Sequence, residues 1–238
     1  LCFSFMENET SFAVMLPAGY GIDLIRAHFS PQLSKVECLD RILERLKTIW
    51  KNSACTMVDM GDGIAGFGWN TKMNSIGGEV LEGLNRAIAI AEDKCNGMVI
   101  ANEGNLFSAG ANVGMIFMLA IEQDYEELDM AIRTFQNSMM RVRYSSIPVG
   151  VAPHGLTLGG GCELNLHADT IAAAAETYIG LVELGIGVIP GGGGTKELVL
   201  RVSDEMHIDE PDSITLKNRF LQIATAKVAT SAHEAMEM

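Results

Sequence analysis

The sequence predicts an α/β fold with one wound core. Short apolar runs of strand length alternate with segments whose apolar residues recur at helical period, and clusters of glycine separate one from the next. The chain's 238 residues suffice for one good-sized domain with its own core. Aromatic residues make up only 6% of the chain against 14 methionines and 25 glycines, so that core must be built mostly from aliphatic residues and methionine, with many tight turns.

Taken in order, residues 1–29 mix apolar and polar side chains and break at Pro17-Ala18-Gly19, with a second break at Ser30-Pro31. From Ser34 to Trp50 the residues Val36, Leu39, Ile42, Leu43, Leu46 and Ile49 recur at three- and four-residue intervals, which predicts an amphipathic helix. Residues 1–50 are therefore expected to form an extension or linker, and residues 51–238 the domain itself. Cys55 to Trp69 reads as a hairpin turning at Gly61-Asp62-Gly63. Gly77 to Lys94 follows as a helix with Val80, Leu84, Ala87, Ile88 and Ala91 on its apolar stripe, then a buried strand at Gly97 to Ala101.

A turn-rich segment, Asn102 to Gly110, precedes one long helix expected over Val113 to Arg143. Its stripe includes Met115, Met118, Met139 and Met140 and is expected mainly as core, with some of it available to an adaptable pocket. A short strand at Pro148 to Ala152, a helix from Cys162 to Ala168 and a strand at Thr170 to Ala175 come next. A second glycine cluster opens a helix near Thr195, Ser203 to Thr215 reads as an exposed loop, and a helix from Leu216 to Val228 closes the pattern.

Composition narrows the function. The net charge is −13 with no cluster of Lys or Arg, which argues against a nucleic-acid partner. An acidic chain can still hold one anionic cofactor through backbone N–H groups and helix N-termini. The five cysteines, Cys2, Cys38, Cys55, Cys95 and Cys162, stand singly and are odd in number; free thiols in a reducing compartment, the cytoplasm, are expected. No apolar run reaches the roughly 18 residues of a membrane span.

The glycine clusters invite nucleotide readings, and both fail on spacing. Gly194-Thr195-Lys196 is the wrong order for a phosphate-cradling Walker loop, and Pro190 interrupts the dinucleotide pattern begun at Gly185 and Gly187. Glu163 and His167 stand one helical turn apart, as a metal pair would, but no third ligand has matching spacing, so no metal is expected. A GxSxG nucleophile turn is missing too.

Three segments remain: Phe107-Ser108-Ala109-Gly110-Ala111-Asn112, Leu158-Gly159-Gly160-Gly161-Cys162-Glu163-Leu164, and Gly180 to Gly194 with Glu183 near its start. Alone, each has a plain structural reading: glycines where backbones pack closely, Glu163 as a helix-start charge, Glu183 as an exposed loop carboxylate. Together and in this order they resemble the crotonase (enoyl-CoA hydratase/isomerase) family, over roughly Cys55 to Met238. From Ser53 onward the likeness is nearest to the hydratase portion fused to a 3-hydroxyacyl-CoA dehydrogenase in some bacterial β-oxidation proteins, carried by Asp129 to Arg143 and Ala175 to Gly194.

The resemblance implies a crotonase-like ββα spiral that acts on a coenzyme A thioester, its substrate carrier, with no tightly bound cofactor. It implies Glu163 and Glu183 as the catalytic pair, backbone N–H groups of Ala111 and Gly160 as the oxyanion hole, and the loop of Leu106, Phe107, Ser108, Ala109 and Gly110 as the holder of the adenine. Asn112 and Gly114 stand where many members carry Asp and a basic residue. The family's C-terminal helices, which cover the acyl pocket and build a trimer, are expected beyond Met238, so the chain is expected to be a fragment. The implied reaction is hydration of a trans-2-enoyl-CoA. The alternatives are a Δ3,Δ2-enoyl-CoA isomerase, which can manage with one carboxylate, and a non-catalytic scaffold for a dehydrogenase partner.

Overall fold

The computed structural model describes residues 46–205 and 213–238. Nine strands and seven helices lie in these residues, in two sheets. The first sheet has the order β1-β2-β3-β4-β5-β7, formed by Lys47–Lys51, Cys55–Asp59, Ile64–Trp69, Gly97–Ile100, Val149–Val151 and Thr170–Ile171. β1, β2 and β3 pair antiparallel, while β4, β5 and β7 add on in parallel. The second sheet has the order β6-β8-β9, from Gly155–Leu158, Thr177–Gly180 and Val228–Ala229.

The hairpin forms as expected: β2 and β3 pair in register from Cys55↔Trp69 to Asp59↔Ala65. Its turn needs left-handed backbone at Gly61, Asp62 and Gly63, which two glycines and an aspartate tolerate. Helix α1 (Gly78–Lys94) buries Val80, Leu84, Ala87, Ile88 and Ala91 against the first sheet, and Leu81 beside them. The same core takes in Met57, Phe67, Met98 and Ile100 from the strands and Phe135, Met139 and Val142 from a later helix.

Several expectations are corrected. The helix expected through Trp50 is strand β1 at its described end, because Thr48 and Trp50 pair with β2 on either side of a register shift at Ile49, and Ile49 and Trp50 pack on the core; residues 34–45 lie outside the described residues. The single helix expected over 113–143 is two, α2 (Val113–Glu122) and α3 (Tyr125–Arg143). Gln123 turns left-handed to end the first, and Asp124 starts the second by accepting a hydrogen bond from the Glu127 N–H at 3.1 Å. Along α2 the methionine stripe is not core: no residue of that helix is buried, and Met118 is 56% exposed.

Helix α4 (Gly160–His167) starts two residues earlier than expected, and β7 is only Thr170–Ile171. Residues Ser203–Glu205, expected as loop, end α5 (Gly194–Glu205); α6 (Ser213–Ala224) stops before Val228, which belongs to β9. β6, β8 and α7 (Ala232–Glu237) are absent from the expected elements. Cys55, Cys95 and Cys162 are free thiols, and Cys2 and Cys38 lie outside the described residues. Among the described residues no helix is long and apolar enough to cross a membrane.

One buried side chain ties β3 to the loop that follows β4. Asn102 accepts from the Trp69 N–H at 2.9 Å and donates to the Phe107 carbonyl at 2.7 Å, and it is 1% exposed. Asn102→Ala would orphan both groups, each worth about 1–3 kcal/mol when buried without a partner. Denaturant unfolding should therefore show a loss of about 2–4 kcal/mol. A loss below about 0.5 kcal/mol, typical of an indifferent surface site, would contradict that role.

Candidate active site

The site is assembled by three parallel lines of backbone. β6 and β8 run side by side, with Leu156↔Tyr178 and Leu158↔Gly180 in register. On the other side of β6 the Leu106–Gly110 loop adds a third line through a parallel bridge of Ser108 with Thr157. Phe107 and Ser108 donate to His154 and Leu156 carbonyls at 2.9 and 3.1 Å, and Leu158 donates back to Ser108 at 2.9 Å. All three lines point the same way, so the residues that follow each of them meet at one end. Those residues are Ala111, Gly160 with Glu163, and Glu183. Gathering ligand groups at the carboxyl ends of parallel strands is the general habit of α/β sheets.

Backbone donors are used up along the loop until the site is reached. Ala109 donates to the Met73 carbonyl at 3.1 Å and Gly110 to the Ser108 hydroxyl at 3.0 Å. Gly159 donates to the Gly180 carbonyl at 3.0 Å. The next N–H on each line, that of Ala111 and that of Gly160, donates to nothing among the described residues. The two lie close together, since a Cβ on Gly160 would be 3.2 Å from the Ala111 nitrogen. Gly110, at φ +92°, has no room for a side chain either: a Cβ there would lie 2.8 Å from the Leu158 carbonyl oxygen and 2.9 Å from the Gly160 nitrogen.

Glu163, in the first turn of α4, is 3% exposed. The Gly194 N–H donates to its carboxylate at 2.9 Å, and the N–H groups of Gly192 and Gly193 also aim at it. A Cβ on Gly192 would clash with the Glu163 Oε2, so glycine is what allows this loop to close over the carboxylate. Burial raises the Glu163 pKa to about 7; the glycine N–H groups oppose that rise and the nearby Glu183 charge adds to it. Glu183 opens a short 3-10 turn after β8. Its Oε1 would be 3.2 Å from a Cβ on Gly159, and its buried Oε2 has no partner among the described residues. Burial pushes its pKa up as well.

The structure thus brings together Glu163, Glu183, Ala111 and Gly160. The loop residues divide: Phe107 and Ser108 are fully buried, the Phe107 ring lying edge-on to Trp69 at 5.6 Å, while Leu106 and Ala109 are partly exposed. Two residues outside the expected set shape the site. Asn74, left-handed at φ 46°, donates to the Glu103 and Leu106 carbonyls at 2.9 Å and accepts from Ser108, fixing the loop. The Phe135 ring fills the space that side chains on Gly160 and Gly192 would need. Neither follows from sequence spacing, since each acts on residues dozens of positions away. Asn112 caps α2 through the Met115 N–H at 3.3 Å. Among the described residues no group of three or more His, Cys, Asp and Glu is placed to hold a metal ion. A cavity of about 460 Å³ lies beside α4 between Leu166, Leu198, Arg201 and Arg219, but neither glutamate lines it.

The enoyl-CoA hydratase/isomerase family matches residues 65–206. Over 200 residues, 84% of this chain, the sequence is 42% identical to a probable 3-hydroxyacyl-CoA dehydrogenase of Bacillus subtilis, covering 25% of that relative. It is 32% identical over 160 residues, 67% of this chain, to a putative fatty acid oxidation complex trifunctional enzyme of Rickettsia felis, covering 22% of it. The fold is similar to the crystal structure of an enoyl-CoA hydratase from Bacillus anthracis, with a TM-score of 0.65 at 25% identity over 78% of this chain and 67% of that one. The chain belongs to the enoyl-CoA hydratase/isomerase (crotonase) family and has the crotonase fold. It spans about a quarter of the length of the first two relatives.

The raised pKa of Glu163 has a stability consequence. A carboxyl that titrates near 7 when folded and near 4.5 when unfolded favours the folded state below pH 4.5 and loses that contribution as pH rises through 7. The shift corresponds to about 3 kcal/mol. Wild type should therefore lose stability relative to Glu163→Gln between pH 4.5 and 8, as read by denaturant unfolding. Parallel stability curves for the two proteins would show that Glu163 titrates normally.

Proposed function

We propose that this chain adds water across the α,β double bond of a trans-2-enoyl-CoA thioester, as the hydratase part of a longer fatty-acid oxidation protein. The observation that carries this is the meeting of the buried Glu163 and the half-buried Glu183 carboxyls with two unengaged backbone N–H groups at one end of β6 and β8. Hydration moves negative charge onto the thioester oxygen, and the N–H groups of Ala111 and Gly160 are fixed where they can stabilise it. A preorganised donor of this kind contributes roughly 10²–10³ in rate. The α4 N-terminus adds a favourable dipole end.

The two carboxyls divide the proton work. Glu163 in its ionised form takes a proton from water as the hydroxyl adds to the β-carbon. Glu183 in its neutral form gives a proton to the α-carbon. One carboxyl must be ionised while the other is protonated; burial raises both pKa values and the Glu183 charge raises that of Glu163 further, which opposes ionisation of the two at once. The unpartnered Glu183 Oε2 leaves a position for the reacting water or the substrate.

The partly exposed Leu106 and Ala109 at the edge of the loop are our candidates to flank the adenine, with Phe107, Ser108 and Gly110 supplying its frame. Fusion to a 3-hydroxyacyl-CoA dehydrogenase, a trimer-type assembly and a cytoplasmic setting complete the reading. They rest on the named relatives, the family resemblance and the three free thiols. Residues 51–238 are taken as the hydratase domain, extended on its N-terminal side by the β1 residues 47–50 that pair with it.

Crotonyl-CoA tests the reading through loss of absorbance at the conjugated enoyl thioester band. Glu163→Gln and Glu183→Gln should each cut turnover by roughly 10²-fold or more. Near-normal hydration by either variant would remove that residue from the mechanism. Double-bond migration without hydration would make the chain an isomerase, and no reaction with any enoyl-CoA would leave a scaffold.

A further inference from the structure

Behind Glu163 lies a buried charged cluster that the proposed reaction does not use. His167, one turn along α4, and Glu197, on α5, are each 1% exposed. His167 Nδ1 is 2.7 Å from the Glu163 backbone oxygen. A carbonyl only accepts, so Nδ1 carries the proton and donates, leaving the Nε2 lone pair to accept from Lys196 Nζ at 3.1 Å. The Glu197 carboxylate receives Arg143 from α3 at 2.8 Å and lies 2.7 Å from Lys196 Nζ and 3.5 Å from His167 Nε2. Burial lowers the His167 pKa, consistent with the neutral ring.

The His167 ring and the Glu197 main chain both adjoin the glycine loop that closes over the Glu163 carboxylate. Gly193, at φ +115°, lies so near that a Cβ would be 2.9 Å from His167 Cε1. The Glu197 N–H donates to the Gly193 carbonyl at 2.9 Å. On the far flank of the loop, Gln136 from α3 donates to the Gly191 carbonyl at 2.7 Å. His167 thus touches both the main chain that carries Glu163 and the loop whose N–H groups bind its carboxylate. Burying His167 and Glu197 together, with Arg143 and Lys196 only partly exposed beside them, costs desolvation that an apolar filling would avoid, so such a cluster is better explained by geometry than by stability.

We propose that His167 and Glu197 are positioning residues that lock the Gly191–Gly194 loop against the Glu163 carboxylate and so fix where that carboxylate points. Neither reaches the reacting atoms. The kinetic part of this proposal rests on the hydratase reading; the structural part does not.

The test uses His167→Leu, which removes the donor, and His167→Asn, whose amide can donate to the same carbonyl. Each is followed by crotonyl-CoA kinetics and by carbon-13 NMR titration of the Glu163 carboxyl, assigned with Glu163→Gln. His167→Leu should lower kcat about tenfold or more, with KM within about twofold, because misplacing a reacting group acts on turnover. It should also move the Glu163 midpoint upward, since the displaced loop N–H groups no longer favour the charged form. His167→Asn should recover most of both effects. An unchanged midpoint and kcat in folded His167→Leu would overturn the proposal, as would equal impairment of the two variants. Should His167→Leu not fold, Glu197→Gln, which keeps the side-chain shape, should raise the midpoint in the same direction, and no movement there overturns it. If wild type fails to hydrate crotonyl-CoA, the hydratase reading falls while the titration still decides the positioning role.

Discussion

The parallel pairing of β6 with β8 decides where the chemistry of this molecule can be. Each strand is only four residues long, and each ends directly in a turn that carries candidate site residues: Leu158 leads into Gly159–Gly160 and α4, and Gly180 into Leu181–Glu183. Because Leu158 and Gly180 are register partners, the two glutamates emerge side by side. An antiparallel pairing would have sent them to opposite ends. The Ser108 bridge adds the loop leading to Ala111, proposed above for the oxyanion hole, to the same row. The larger sheet and its aliphatic core then serve to hold this row still, through links such as Asn102 and Asn74.

Around that row the structure sets two opposing effects on Glu163. Removal from water pushes its pKa up, while donors from Gly192, Gly193 and Gly194 push it down, and the balance falls near neutrality. Glycine is required for both effects at once. A side chain at Gly192 would clash with the carboxylate, and one at Gly193 would collide with His167. The low aromatic content noted from composition has a counterpart here, with the single ring of Phe135 occupying the space left by Gly160 and Gly192.

Much of this was legible in the residues. The hairpin turn at Gly61-Asp62-Gly63 and the stripe of α1 rest on local chemistry and period, and they formed where expected. The four residues brought together at the site were named in advance, but only through the family resemblance that three glycine-rich segments carry together. β6 and β8 were not legible because four residues flanked by glycine carry too little periodicity, although Leu156-Thr157-Leu158 does alternate. The break between α2 and α3 had a local sign, Asp124 followed by Glu127, which a continuous apolar stripe overrode. The link of His167 to Glu197 had no sign at all, since the Glu163 and His167 spacing reads equally well as a metal pair.

The account depends most on the claim that Glu163 and Glu183 act as one unit because the strand register places them together. A double-mutant cycle on kcat for crotonyl-CoA tests it: wild type, Glu163→Gln, Glu183→Gln and the double variant, all under the same conditions. Groups that share one proton inventory are strongly non-additive, so the double variant should be no more than a few-fold slower than the worse single variant. Losses that multiply, so that the double variant falls by the product of the two single effects, would show two carboxyls working independently and would contradict the account.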